Sequence, residues 1–161
     1  MISRLEQVTQ GIDRLSYWAV AITMLGMSAI VIAQVITRFV FNSSIDSADE
    51  LSRLFFVWVI FLAIPQGVKY SVHVGIDLLV SKCSDAGKAK LYRLTSALSI
   101  FLMLVVSYSG TLAVMDKWVE LMPTLTMTAA VYYIPILICA VHSLLHLLLQ
   151  WCKPALRKVS L

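Results

Sequence analysis

Four long runs of apolar residues, separated by shorter polar stretches, dominate the pattern along this chain. A helix needs about 20 mostly apolar residues to cross the hydrocarbon core of a bilayer, and each run reaches or comes close to that length. The pattern therefore predicts an all-α membrane protein in which residues 1–161 form a single membrane domain. We expect the four transmembrane helices to span residues of about 15–38, 48–68, 89–116 and 127–152.

Two shorter stretches have the pattern of amphipathic helices. Leu5, Val8 and Ile12 recur at three- or four-residue steps ahead of the first apolar run. Apolar residues recur in the same way from Val72 to Cys83, between the second and third runs. A helix with one apolar face suits the headgroup region of a membrane. We therefore predict short interfacial helices at about residues 1–14 and 72–84.

Composition agrees with a membrane protein. The 161 residues are 60% hydrophobic and only 14% charged, and the mean hydropathy is +0.85. A soluble domain has roughly 45–50% apolar residues, and a chain this short has no interior large enough to hide the excess. In a soluble protein, a net charge of +4 would make nucleic acid a possible partner. Here the basic residues flank the apolar runs and no aromatic-and-basic platform accompanies them, so we predict no nucleic-acid binding.

The distribution of lysine and arginine predicts the orientation. If the N-terminus is cytoplasmic, only Arg38, Arg53 and Lys117 of the 13 basic residues lie on the far side. The remaining basic residues then lie on the cytoplasmic side, where membrane proteins concentrate them. We therefore expect both termini to be cytoplasmic.

None of the four predicted helix cores contains an Asp, Glu, Lys or Arg residue deep in the membrane. An ion-coupled carrier usually needs such a group, or an unwound helix that binds the ion. We therefore predict that this chain holds no solute site of its own, no catalytic residue, no metal and no cofactor.

Two histidines, His142 and His146, lie well inside the last predicted helix, four residues apart and so on one face. A metal pair and a haem ligand are alternatives, but a membrane haem usually takes ligands from facing helices, and His73 lies in a loop. We favour hydrogen bonds to backbone, lipid or water. The three cysteines have no C-x-x-C spacing, and Cys139 is expected to fill space within the bundle.

Polar residues at the helix ends suggest local contacts. Ser47 and Glu50 have the spacing of a capping box at the start of the second helix. Asp49 and Arg53, four residues apart, are expected to form either a solvated cap and ion pair or a charged docking surface.

His73 and Asp77 have the same spacing, so a solvated pair and a contact with a partner are both open. The remaining expectations are interhelical hydrogen bonds from Gln34 and Gln66, and a packing role for Trp58.

Six short motifs resemble the small membrane subunit, the DctQ-like family, of tripartite ATP-independent periplasmic (TRAP) transporters. Their order and spacing, together with the four-helix plan, are similar to that family over about residues 30–140. The motifs are Arg38-Phe39-Val40-Phe41, Asp49-Glu50-Leu51-Ser52-Arg53, Phe56-Val57-Trp58, His73-Val74-Gly75-Ile76-Asp77, Pro123-Thr124-Leu125 and Tyr133-Ile134-Pro135.

The resemblance implies an accessory subunit in the bacterial inner membrane. TRAP systems import organic acids, such as C4-dicarboxylates or sialic acids, with a sodium gradient. A periplasmic binding protein delivers the solute, and a large membrane subunit carries the transport and sodium sites. The expected partners are therefore that large subunit, the binding protein and membrane lipid. By this resemblance, we expect Arg38, Asp49, Glu50 and Arg53 near the docking face, Trp58 at the subunit interface, and His73 and Asp77 on a cytoplasmic arm.

The alternative function is a haem- or quinone-binding membrane anchor of a redox complex, which would require histidines on facing helices. A small exporter would require a membrane-embedded carboxylate, and none lies within the predicted helix cores.

Overall fold

The computed structural model describes residues 2–69 and 85–152, and within these ranges the regular secondary structure is helical apart from one isolated antiparallel bridge. Each of the four main helices contains an apolar segment that can cross a membrane. The predicted all-α fold with four spans is therefore confirmed, while the predicted interfacial helix at 72–84 lies outside the described residues. The helices are α1 (Ile2–Val40), α2 (Ala48–Lys69), α3 (Asp85–Asp116) and α4 (Ile134–Cys152), with a 3-10 helix at Ala129–Tyr132.

The first helix is much longer than its apolar run. It has 39 residues, which at 1.5 Å per residue gives a length of about 58 Å. The hydrocarbon core is about 30 Å thick, so α1 extends well beyond it. Residues 2–14, which the sequence suggested as a separate surface helix, continue into the span without a break. Thr9 and Asp13 in these turns are buried, so this part of α1 packs against the rest of the bundle.

The helices pack in the order α1, α2, α4, α3. The contacts between α1 and α2 are the most extensive, followed by those of α4 with α3 and with α2. Within the described part of the chain, α3 touches only α4 and the 3-10 helix, and α1 reaches α4 over a shorter contact. The pair α2 and α4 is therefore central, and α1 and α3 are the outer helices.

Small residues let the helices approach closely. A Cβ atom on Gly110 of α3 would lie 3.0 Å from the Leu137 side chain of α4, so this side chain packs directly against the α3 backbone. Gly26 of α1 faces the ring of Phe55 on α2 at a slightly larger distance. Cys139 is buried in α4, so its predicted packing role is confirmed. Close approach of this kind is typical of helix packing in membranes.

Both predicted glutamine contacts join helices. The Gln34 side-chain amide on α1 donates to Asp49 Oδ1 on α2 at 2.8 Å. Gln66 on α2 donates to the backbone oxygen of Asp13 on α1 at 3.2 Å. In addition, the Ser16 hydroxyl on α1 donates to the Leu62 carbonyl on α2 at 2.8 Å. Such bonds help to fix the register of helices where lipid provides no competing partner.

Candidate functional site

A hairpin loop, residues 117–128, connects α3 to the 3-10 helix and folds over the start of α2. Within it, the Met122 amide donates to the Met127 carbonyl at 2.9 Å, and the Ala129 amide donates to the Glu120 carbonyl at 2.8 Å. The Thr128 side chain then accepts from the Ala130 amide at 3.0 Å and caps the 3-10 helix. These bonds give the loop a defined shape.

Glu50 ties the hairpin loop to α2. Its Oε2 atom accepts from the Thr124 amide at 2.8 Å and from the Thr124 hydroxyl. From the other side, the Tyr132 hydroxyl donates to the Glu50 carbonyl at 3.0 Å. The predicted capping box with Ser47 is therefore wrong, because the Glu50 carboxylate bonds to a loop 74 positions away in sequence. The motifs Asp49-Glu50 and Pro123-Thr124-Leu125 thus meet in space.

Trp58 adds a second tie on the same side of α2. It lies eight positions after Glu50, about two helical turns, and so shares its face. The indole N–H donates to the Val131 carbonyl of the 3-10 helix at 3.1 Å, and the side chain remains half-buried. Trp58 therefore packs against another part of the same chain, which agrees with the predicted packing role. Its role at a subunit interface stays a prediction.

Exposed charges surround this contact. Arg38, Asp49 and Arg53 are all exposed, and neither arginine forms an ion pair with any residue the structure describes. The expected Asp49–Arg53 ion pair is absent, since Asp49 instead accepts from Gln34. This end of the molecule, which we call the docking end, therefore presents two unpaired cations beside the hairpin loop.

Lys117, the third basic residue at the docking end, differs from the two arginines because its charge is neutralised locally. Its Nζ atom lies 2.6 Å from Glu120 Oε2 and 3.7 Å from Asp116 Oδ2. The hydrogen bond to Glu120 is the main reason that the pKa of Lys117 is raised above its ordinary value. A partner would consequently meet Arg38 and Arg53 as the accessible positive charges.

The other predicted contact residues, His73 and Asp77, lie outside the described residues. Their role on a cytoplasmic arm stays a prediction.

The outer faces of α1 and α3 are apolar and uncovered. The side chains of Leu25 and Phe39 on α1 are 71% and 81% exposed, and Phe101 and Met115 on α3 are 66% and 68% exposed. The structure describes no residue that covers these faces, so they are open to lipid or to another protein.

A buried polar cluster lies at the opposite end from the docking end, where α2 ends. Asp13 Oδ1 is 2.8 Å from the Nε2 atoms of both His142 and His146, and Asp13 Oδ2 is 2.8 Å from Lys69 Nζ. Our interpretation that the histidines bond backbone, lipid or water is therefore wrong. The prediction that no carboxylate lies inside the bundle is wrong as well. The helix α1 begins earlier than its apolar run, and this places Asp13 in the interior.

A signal for this cluster was present in the sequence. Thr9, Asp13 and Ser16 follow one another at four- and three-residue steps, and all three are buried. A polar stripe on one helical face, opposite two histidines on another helix, would have indicated an internal contact.

Four apolar helices with two uncovered outer faces define a multi-pass helical membrane protein. Residues 27–157 match the family described as the DctQ component of tripartite ATP-independent periplasmic transporters. The chain belongs to this family, whose members are components of transporters rather than enzymes, and it is a multi-pass protein of the bacterial inner membrane.

Individual relatives agree. The chain is 30% identical over 109 residues to a TRAP transporter small permease protein of Haemophilus influenzae, covering 68% of this chain and 63% of the relative. It is 33% identical over 107 residues to the C4-dicarboxylate TRAP transporter small permease protein DctQ of Vibrio cholerae, covering 63% and 44%. A third match, 36% identical over 70 residues, is the sialic acid TRAP transporter permease protein SiaT of Haemophilus influenzae, covering 44% and 11%. The chain thus spans under two thirds of the length of each of these relatives.

Proposed function

We propose that this chain is the accessory small permease subunit of a TRAP transporter and that it braces the large transport subunit in the membrane. The observation that carries this proposal is the apolar surface of α1 and α3, which no described residue covers. The match to part of a much longer permease protein supports it, since that relative has a related segment within a larger polypeptide.

We further propose that the docking end faces the periplasm and helps to seat the solute-binding protein. The lysine and arginine distribution supports this orientation, with both termini cytoplasmic. The hairpin loop is held by Glu50 and Trp58, so a partner would meet a surface of defined shape. Arg38 and Arg53 supply two exposed positive charges, each of which would pair with an individual acidic group on the binding protein and so help to orient it.

The sodium and solute sites belong, in this proposal, to the large subunit. The buried carboxylate of Asp13 is already bonded to Lys69 and two histidines, which makes it a poor site for a transported anion. The transported solute would be an organic acid, a C4-dicarboxylate or a sialic acid, the two classes that the names of relatives contain.

Reconstitution tests the accessory role. Proteoliposomes with the large subunit and binding protein of the same organism should take up succinate or a sialic acid under a sodium gradient only when this chain is present. This chain alone should give no uptake. Uptake by the isolated chain, or full uptake without it, would refute the proposal.

Charge reversal tests the docking end. Arg38→Glu and Arg53→Glu should each lower binding-protein-dependent uptake several-fold while the two membrane subunits still purify together. Arg14→Glu, an exposed charge reversal at the other end of the bundle, is the matched control and should leave uptake unchanged. If the docking-end variants lose assembly before uptake, these residues act in the structure of the chain.

The alternative of a haem- or quinone-binding anchor gains no support from the described residues. Both described histidines lie on the same helix face and bond the same carboxylate oxygen, so they do not oppose each other across a haem. A Soret band from the purified chain would revive that alternative.

A further inference from the structure

Three potential metal ligands converge inside the bundle at the end opposite the docking end. They are Asp13 Oδ1 on α1 and the Nε2 atoms of His142 and His146 on α4, and all lie within 4.8 Å of one another. The three residues are only 6%, 2% and 6% exposed, respectively. From this arrangement we propose that Asp13, His142 and His146 form a binding site for a divalent transition-metal ion of the zinc class.

The residue types suit such an ion. Two imidazole nitrogens and one carboxylate oxygen are the ligand set that zinc, cobalt and nickel accept in proteins. The histidines are four residues apart on one helix, so their rings project from the same face, and the ring centroids are 5.0 Å apart. The same spacing of two histidines on a helix holds zinc in metalloproteases.

Two of the three distances between ligand atoms are already close to those of a zinc site. Each Nε2 atom is 2.8 Å from Asp13 Oδ1. Ligand atoms that are each about 2.0–2.1 Å from a tetrahedral zinc ion lie about 3.3 Å apart. The two Nε2–Oδ1 distances would therefore lengthen by about 0.5 Å. The two Nε2 atoms, which lie within 4.8 Å of each other, would also have to come to about 3.3 Å apart by rotation about the side-chain torsions. Three protein ligands leave the fourth position for water.

Proton balance follows from the present bonding. An ionised carboxylate oxygen can only accept hydrogen bonds. Each of the two Nε2 atoms bonded to Asp13 Oδ1 therefore carries a proton and donates it. On metal binding, each histidine must lose its Nε2 proton, either to solvent or by a shift to Nδ1.

Lys69 sets the electrostatics of the site. Its ammonium group is 2.8 Å from Asp13 Oδ2 and holds the carboxylate with Oδ1 towards the rings. The Lys69 side chain is 36% exposed, so solvent partly screens its charge from an entering cation. A partner that orients a ligand in this way is a common feature of metal sites.

A metal titration of the full-length chain in detergent, without an affinity tag, tests the site. Zinc added to metal-free protein should bind with one-to-one stoichiometry by calorimetry and raise the thermal unfolding temperature. Cobalt should give the visible absorption bands of a low-coordinate site. His142→Gln and His146→Gln should each lower zinc affinity about tenfold or more, because glutamine keeps a hydrogen-bond donor for Asp13 but is a poor zinc ligand.

Two further variants make the result decisive. Asp13→Asn preserves the shape of the side chain and should also lower zinc affinity. His73→Gln replaces the third histidine of the sequence by the same change and should leave binding unaltered. The proposal is overturned if folded wild-type protein binds no zinc, if the two histidine variants bind it as tightly as wild type, or if only His73→Gln reduces binding.

Discussion

The Asp13→Ala substitution examines what holds three helices together at one end of the bundle. It removes a carboxylate that makes three contacts of 2.8 Å, with Lys69 of α2 and with His142 and His146 of α4. Both carboxylate oxygens are engaged, so no single remaining residue can replace them. The loss should uncouple α1 from the central pair at this end.

The size of the effect can be bounded. Interhelical hydrogen bonds in membranes average about 0.6 kcal/mol each, which gives a lower limit of about 2 kcal/mol for three contacts. Breaking a fully buried ion pair in a soluble protein costs about 3–5 kcal/mol. This range sets an upper limit here, because the Lys69 side chain is 36% exposed. We therefore expect the free energy of unfolding to fall by about 2–5 kcal/mol, at least a thirtyfold change in the unfolding equilibrium.

Unfolding of the detergent-solubilised chain in a denaturing detergent, followed by circular dichroism, measures this loss. The buffer should contain a chelator, so that any bound metal does not contribute. Asp46→Ala makes the same change at an exposed position and should alter stability by no more than about 0.5 kcal/mol. If the two variants are equally stable, the buried cluster does not join the helices and the reasoning is refuted.

Three other substitutions or conditions test separate contacts. Gly110→Leu should drive α3 away from Leu137 and destabilise the bundle by about 1–3 kcal/mol in the same unfolding assay, whereas Gly67→Leu, at a position with open space, should not. Trp58→Phe keeps an aromatic side chain but removes the bond to Val131 together with part of the ring, so it should cost about 1 kcal/mol of stability or more, and a loss near zero would contradict that bond. Glu120 raises the pKa of Lys117, so the ion pair between them should persist at neutral pH and be lost only as the pH rises through that raised pKa. When stability is measured against pH, Glu120→Gln should remove this alkaline loss.

Helix number and placement could be predicted from the sequence because lipid imposes a strict length of apolar residues. The second span, predicted at 48–68, is observed at Ala48–Lys69. The interhelical role of Gln66 was also predictable, since a polar amide within a span needs a partner. These features depend on local composition and on the solvent.

Partners across the bundle were not predictable in the same way. The Glu50 side chain could reach the Ser47 amide by local spacing, but the fold brings it Thr124 instead. Asp13 was assigned to a surface segment because the apolar run begins at Leu15, although the helix itself begins at Ile2. Charge alone does not end a helix, so the apolar boundary underestimated its length. The first error arises from a contact between residues far apart in sequence, and the second from taking the start of the apolar run as the start of the helix.

Polar contacts determine which helices of this bundle are firmly joined. Apolar side chains gain little from leaving lipid for another apolar surface, so hydrogen bonds and close packing must fix the arrangement. The buried cluster joins α1 to α2 and α4, and Glu50 and Trp58 join α2 to the segment ahead of α4. By contrast, α3 is held among the described residues through α4 and the 3-10 helix, with Gly110 at the close approach. We therefore expect α3 to be the helix that adjusts most readily to a neighbouring subunit, and α1, α2 and α4 to form the fixed frame.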